Sequence, residues 1–251
     1  MLDVTEHGDI TELSLQRPPV NALNPELVTE LTAAIESAIK TSKALVISGR
    51  EGLFSAGLDV PELMQLDHQG MTDFWRRFFK LLETVARSPV PVAAAITGHS
   101  PAGGAIVAIF CDFRVMSRGK FVIGLNETQV GLLVPGIIRY AFTRLTGPRR
   151  AARLIVAGEL LKPDDALAAG MVDALAENPQ ATVTNAIEWC QQQLALPTHS
   201  MLGNRALMRQ DIYSQFDALG EKDIAEFVDC WFSQPTQEIL SGLLAQLKKK
   251  S

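Results

Sequence analysis

Between Val92 and Cys111 the chain passes from a short apolar run, Val92-Ala93-Ala94-Ala95-Ile96-Thr97, through Gly98-His99-Ser100-Pro101-Ala102-Gly103-Gly104 and straight into a second apolar run, 105–111. Residues 92–97 read as a buried strand, and 103–111 read as a short helix. Neither element has a polar face of its own, so both require further layers to cover them. That restricts the chain to a layered α/β fold.

The same alternation continues on either side. Ile10 to Leu15 alternates as a strand, Arg17-Pro18-Pro19-Val20-Asn21-Ala22-Leu23 turns, and Asn24-Pro25 opens a helix with a capping side chain followed by proline at the first helical position. Leu27, Leu31, Ile35 and Ile39 then recur every fourth residue. Residues 44–48 read as a buried strand ending in the loop 49–56, and 74–85 as an aromatic-rich helix. Strand pieces follow at 113–116 and 120–123. Helices are predicted at 136–146, 149–157, 163–169, 182–194, 201–214, 225–232 and 237–248, with almost no strand signal after about Leu175. There is no low-complexity linker and no exact sequence repeat.

With 251 residues, 47% of them hydrophobic, the chain is long enough for a full core in one domain. A net charge of −5 gives no general attraction for nucleic acid or an anionic membrane. Asp3, Glu6, His7 and Asp9 near the start resemble neither a signal peptide nor a transit peptide, and no apolar run is long enough to span a bilayer. Cys111, Cys190 and Cys230 are widely spaced and read as reduced core thiols. The expected compartment is cytoplasmic, or the mitochondrial matrix for a processed mature chain.

Chemistry is concentrated in three loops. Phe121-Val122-Ile123-Gly124-Leu125-Asn126-Glu127-Thr128-Gln129-Val130-Gly131-Leu132 places a single carboxylate, Glu127, in an otherwise uncharged and largely apolar stretch. Desolvation raises a carboxyl pKa toward neutrality, where it can take a proton from carbon and return it. In Phe54-Ser55-Ala56-Gly57-Leu58-Asp59-Val60, glycine after a small residue permits a tight bend that leaves the next N–H groups free to face a ligand. In the 98–104 bend, the N–H of Gly103 or Gly104 falls in a first helical turn, unpaired and at the positive end of the helix dipole. Two such donors converging on one carbonyl oxygen form an oxyanion hole, each contributing roughly 3 kcal/mol toward a developing enolate.

These segments, in this order, resemble the enoyl-CoA hydratase/isomerase (crotonase) family: FSAGLDV, then AITGHSPAGGAIVAIFCDFR, then GLNETQVGLLVP. The last resembles the mitochondrial-type Δ3,Δ2-enoyl-CoA isomerase branch. The resemblance implies a spiral of strand-strand-helix units over residues 1–195 and a C-terminal helical trimerisation region over 196–251, assembling as a homotrimer or a dimer of trimers. It also implies that Leu58 and Gly103 are the two backbone donors and Glu127 the acid/base, with Ala56, Gly57, Asp59 and Val60 lining the CoA-binding turn. Asn126 would lie beside the acyl chain and RPPVNAL would help to hold the adenosine end. Hydratases of the family carry a second glutamate three residues beyond the oxyanion-hole glycine, and Ile106 stands there in this chain. A 1,3-proton shift needs only one carboxylate, so the implied reaction is 3-enoyl-CoA to trans-2-enoyl-CoA in fatty acid β-oxidation. It calls for no metal or redox cofactor, since CoA is part of the acyl-CoA thioester substrate. A hydratase, or another CoA-thioester enzyme on the same scaffold, is the alternative.

Plainer readings stand beside these. A loop glutamate alone is usually solvated, and the glycines at 103 and 104 could serve only close packing. Asn126-Glu127-Thr128 matches a glycosylation sequon without a secretory signal. Gly98-His99-Ser100 imitates the nucleophile elbow of serine hydrolases, but Pro101 has no N–H for the oxyanion and Ala102 replaces the usual glycine. His7, His68, His99 and His199 have no metal-ligand spacing. Lys248-Lys249-Lys250 reads as a solvated tail within reach of a CoA phosphate. Phe74, Trp75, Phe78 and Phe79 cover so much of one helix that part of the cluster is expected at the acyl pocket or a subunit contact. A catalytically silent binding module, including one for RNA, is disfavoured by the acidic charge and the intact loops.

Overall fold

A computed structural model of the protein describes residues 1–248; the lysine run 248–250 lies outside the described residues apart from the backbone of Lys248. Strands β1 (Leu2–His7) and β2 (Ile10–Leu15) form an antiparallel hairpin. Helix α1 (Pro25–Ala38) starts at Asn24, whose Oδ1 accepts a hydrogen bond from the Leu27 N–H at 2.9 Å.

One plan then repeats. The first turn comprises β3 (Ala44–Ser48), β4 (Gly52–Leu53), the short α2 (Val60–Leu63) and α3 (His68–Ala86). The second comprises β5 (Val92–Ile96), β6 (Gly98–Pro101) and α4 (Gly103–Ile109). The third comprises β7 (Phe113–Ser117), β8 (Ile123–Gly124), a 3₁₀ turn at Glu127–Val130 and α5 (Gly136–Thr146). Next come α6 (Pro148–Ala157), α7 (Pro163–Ala169), β9 (Ala174–Ala176) and α8 (Pro179–Leu194). The chain ends with α9 (Thr198–Met208), α10 (Gln210–Ala218), α11 (Glu221–Phe232) and α12 (Gln234–Lys248).

The first strand of each turn enters a six-stranded sheet of order β1-β2-β3-β5-β7-β9, and the second enters a three-stranded sheet of order β4-β6-β8. Every pairing except β1/β2 is parallel. The result is an α/β spiral of strand-strand-helix units, the expected fold. Strands β3 and β5 are buried at all five positions, as parallel strands covered on both faces must be. Leu45, Ile47, Ala94 and Ile96 face the core shared with α1 and α3, while Val46, Ala93, Ala95 and Val115 face Ala186 and Cys190 of α8.

Several details differ from the sequence expectation, and the short β4, α2 and β9 carry too few residues to show a period. Strand β1 was not anticipated, because its middle four residues are exposed and carry no apolar alternation. The Gly98–Pro101 bend is itself a strand, β6, paired on both sides. The helix expected over 201–214 is two helices, α9 and α10, which break where Arg209 turns inward. The aromatic cluster on α3 is wholly buried: α11 covers what the spiral leaves open, and the Trp75 and Phe227 rings lie 3.9 Å apart between centroids. Among the described residues no helix is long and apolar enough to cross a membrane.

Candidate active site

The three loops lie beyond the carboxyl ends of β3, β5 and β7, one from each turn of the spiral. In the first, Leu23 donates to the Gly57 carbonyl at 2.8 Å and Asp59 donates to the Leu23 carbonyl at 3.1 Å. This is a parallel bridge between Leu23 and Leu58. The residue at the centre of such a bridge turns its own N–H the other way. Accordingly the Leu58 N–H meets no protein acceptor among the described residues.

The rest of this loop is held from behind. Asn21 is buried and donates Nδ2 to the carbonyls of Leu15 and Phe54 at 2.9 and 3.0 Å. Arg17 Nη1 pairs with Asp59 Oδ2 at 2.7 Å, and Asp59 Oδ1 accepts from the Glu62 N–H at 3.0 Å, capping α2. Asp59, placed by the resemblance in the CoA-binding turn, therefore has both carboxylate oxygens engaged. Arg17 and Asn21 of the RPPVNAL segment likewise fasten the loop. Ala56 and Val60 are half-buried beside Leu58.

In the second loop, Ala102 has φ 46° and ψ −120°, the bend that turns β6 into α4. Its N–H is fixed on the Gly124 carbonyl at 2.8 Å. Gly103 is then the first helical residue, and its N–H meets no protein acceptor among the described residues. A Cβ on Gly57 would lie 3.2 Å from the Gly103 nitrogen, and one on Gly103 would lie 3.3 Å from the Gly57 Cα. Glycine at both positions thus lets the two loops close on each other. The elbow-like backbone carries only the methyl of Ala102; Ser100 is buried two residues earlier, and its Oγ has no partner among the described residues.

The third loop follows from sheet register. Pro101 pairs with Gly124 across β6 and β8, so Gly103 and Glu127 leave neighbouring strands in the same direction. Glu127 is 6% exposed and is the only buried carboxylate among the described residues. Among the described residues its Oε2 has no partner, nor has Oδ1 of Asn126. Burial pushes the Glu127 carboxyl up to about 7. Ile106, on the first turn of α4, is buried in the apolar core.

The Glu127 turn is braced on two sides. Thr128 Oγ1 donates to the Ile155 carbonyl of α6 at 2.7 Å, and Thr236 Oγ1 of α12 donates to the Gly131 carbonyl at 2.6 Å. Gly131 closes the turn in the left-handed region at φ 76°, and its neighbour Leu132 donates to the Glu127 carbonyl at 2.9 Å. Sequence reasoning missed Thr236. It lies 105 residues from its partner, and nothing in a helical Gln-Pro-Thr-Gln marks it.

The site can therefore accept a proton on a desolvated carboxylate while two amides stabilise a developing oxyanion. The family model for enoyl-CoA hydratase/isomerase matches residues 5–241. Among curated relatives, human mitochondrial enoyl-CoA delta isomerase 1 is 32% identical over 248 residues, covering 96% of this chain and 81% of that protein. The probable enoyl-CoA hydratase EchA17 of Mycobacterium tuberculosis is 31% identical, over 84% of this chain and 80% of its own. The crystal structure of human mitochondrial Δ3,Δ2-enoyl-CoA isomerase superposes with a TM-score of 0.94 at 29% identity, over 100% of this chain and 99% of that one.

Proposed function

Because the chain belongs to the enoyl-CoA hydratase/isomerase family, we propose that it is a Δ3,Δ2-enoyl-CoA isomerase converting 3-enoyl-CoA to trans-2-enoyl-CoA. Glu127 takes the proton from C2, the thioester oxygen becomes a dienolate oxygen held by the Leu58 and Gly103 N–H groups, and Glu127 returns the proton at C4. Among the described residues neither amide has an acceptor of its own, so both strengthen their grip as charge develops without breaking bonds first. A pKa near 7 suits both halves of the cycle, since the same oxygen must gain and then give up a proton. A proton shift requires no electron acceptor, and the reaction so drawn uses no cofactor beyond the CoA of its substrate.

The observation that carries this reading is the isolation of Glu127. Hydration needs one carboxylate to orient water and a second to manage its proton. Ile106 offers neither, and the nearby Asp59 is committed to Arg17 and the α2 amide. The similarity to a mycobacterial protein named a probable hydratase keeps that reaction as the second reading. Purified protein incubated separately with 3-hexenoyl-CoA and crotonyl-CoA distinguishes them. Conjugation of the first without hydration of the second is expected; hydration without conjugation overturns the proposal.

We further assign residues 1–195 as the catalytic spiral and 196–251 as the assembly region of a homotrimer or dimer of trimers. Leu196, Leu207 and Met208 are exposed on its first helices and the segment leading into them, as apolar contacts awaiting a second copy would be. Light scattering at a monomer mass across micromolar concentrations counts against this assignment.

A further inference from the structure

A polar cavity lies at the far end of α4 from the Gly103 amide. Its volume is about 230 Å³, and its lining includes Asp112 and four arginines, Arg114, Arg144, Arg205 and Arg209. Asp112 precedes β7, and its Oδ2 accepts from the N–H of Val92, the first residue of β5, at 2.8 Å. The cavity therefore sits where these parallel strands begin, whereas Glu127 lies beyond where they end. The seven residues of α4 alone span ~10 Å between Gly103 and this point.

The charges here do not balance locally. Asp112 Oδ1 accepts from both Arg205 Nε at 2.9 Å and Arg209 Nη1 at 2.7 Å, so one carboxylate serves two guanidinium groups. Arg114 pairs with Asp173 at 2.6 Å and Arg144 with Asp211 at 2.7 Å, but both of those carboxylates are partly solvated. The side chains of Arg114, Arg205 and Arg209 are only 5, 11 and 7% exposed. Backbone carbonyls take some of the remaining donors: Arg114 reaches Cys111, Arg205 reaches Ser88, and Arg209 reaches Ala86 and Phe110. Among the described residues, Arg114 Nε and Arg205 Nη2 are left buried with no acceptor. Desolvation lowers the Arg209 pKa from its ordinary value, with Asp112 opposing the shift. A buried cation short of counter-charge is costly, and an orphaned charged donor adds to that cost.

We propose that this cavity is an anion site for a small tetrahedral oxyanion of the phosphate type, separate from the catalytic site. A cation is repelled by the excess of guanidinium groups, and an apolar ligand leaves the two orphaned donors unpaired. A planar guanidinium fork suits two oxygens of one oxyanion better than it suits a halide. The site does not depend on the proposed isomerase reaction.

Inorganic phosphate is the probe. Thermal unfolding of the full chain in phosphate and in chloride at matched ionic strength should show a melting temperature several degrees higher in phosphate. Arg205→Gln should remove that difference. Should Arg205→Gln fold poorly, Arg144→Gln at the half-exposed rim should still weaken phosphate binding roughly tenfold by calorimetry. Crystals soaked in selenate should give an anomalous peak among Arg114, Arg144, Arg205 and Arg209. A phosphate effect no larger than that of chloride, binding undiminished in both variants, or a cavity holding only water or a neighbouring subunit's carboxylate overturns the proposal.

Discussion

Glu127 is stabilised as a proton carrier and destabilised as an anion, so activity and stability should respond to it in opposite directions. Its carboxyl titrates near 7 in the folded chain against an ordinary value of 4.5. Below 4.5 it is protonated whether the chain is folded or not, and it makes no pH-dependent contribution. Between 4.5 and about 7 the folded chain binds the extra proton, so stability falls as pH rises through this window. Above it the full penalty, about 3 kcal/mol, is present. Glu127→Gln should therefore stabilise the protein by roughly 2–3 kcal/mol in urea titrations at about pH 8, and by little at pH 4. The same variant should lower kcat by about 10³-fold on 3-hexenoyl-CoA. For the unmodified enzyme, kcat/KM should rise with pH to a midpoint near 7, because only the ionised form can abstract the C2 proton. A midpoint near 4.5 would remove desolvation from the account.

At the scale of elements, the catalytic geometry depends on contacts between segments distant in sequence. Thr236 on α12 holds the Gly131 carbonyl that closes the Glu127 turn. Thr236→Val keeps the side-chain shape and deletes the donor, and should reduce kcat about tenfold with KM changed less than about twofold. Thr236→Ser should restore kcat, whereas a purely structural role would show as lost stability with kcat per folded molecule unchanged. Ala102 bears the strain of the β6–α4 bend, at a cost of about 1–3 kcal/mol for a residue other than glycine. Ala102→Gly should accordingly raise stability by about 1 kcal/mol in urea after the added freedom of the unfolded chain is offset. Much of this architecture was legible in sequence. Glu127 stood out as the one charge in an apolar stretch, and Gly103 as the first residue of a helix after a strand. The Leu58 amide was legible only through the glycine before it, because its freedom comes from a bridge to Leu23. Strand β6 was read as a bend because Gly98 and Pro101 are turn residues, and only its pairing with β4 and β8 makes it a strand. Thr236 carried no signal at all.

For the molecule as a whole, the spiral was legible only through the family resemblance, because its three turns share a topology and not a residue pattern. Each places a strand in the large sheet and the next in the small one, which no periodicity in a single chain displays. The same holds for the relation between the spiral and its last helices. Phe216, Phe227, Val228, Trp231 and Leu240 belong to the same buried cluster as Leu27, Phe74 and Leu82, and Trp75 lies against Phe227. The C-terminal helices are thus part of the fold, closing over α3 and bracing the Glu127 turn through Thr236. Unfolding should then be one cooperative transition, with far-ultraviolet dichroism and tryptophan fluorescence coincident in urea. Trp231 is fully buried, and Trp231→Ala should cost about 3–5 kcal/mol and shift both probes together. Two separated transitions, with the variant moving only one, would show that the C-terminal helices form an independent unit and that their contact with α3 contributes little to the catalytic spiral.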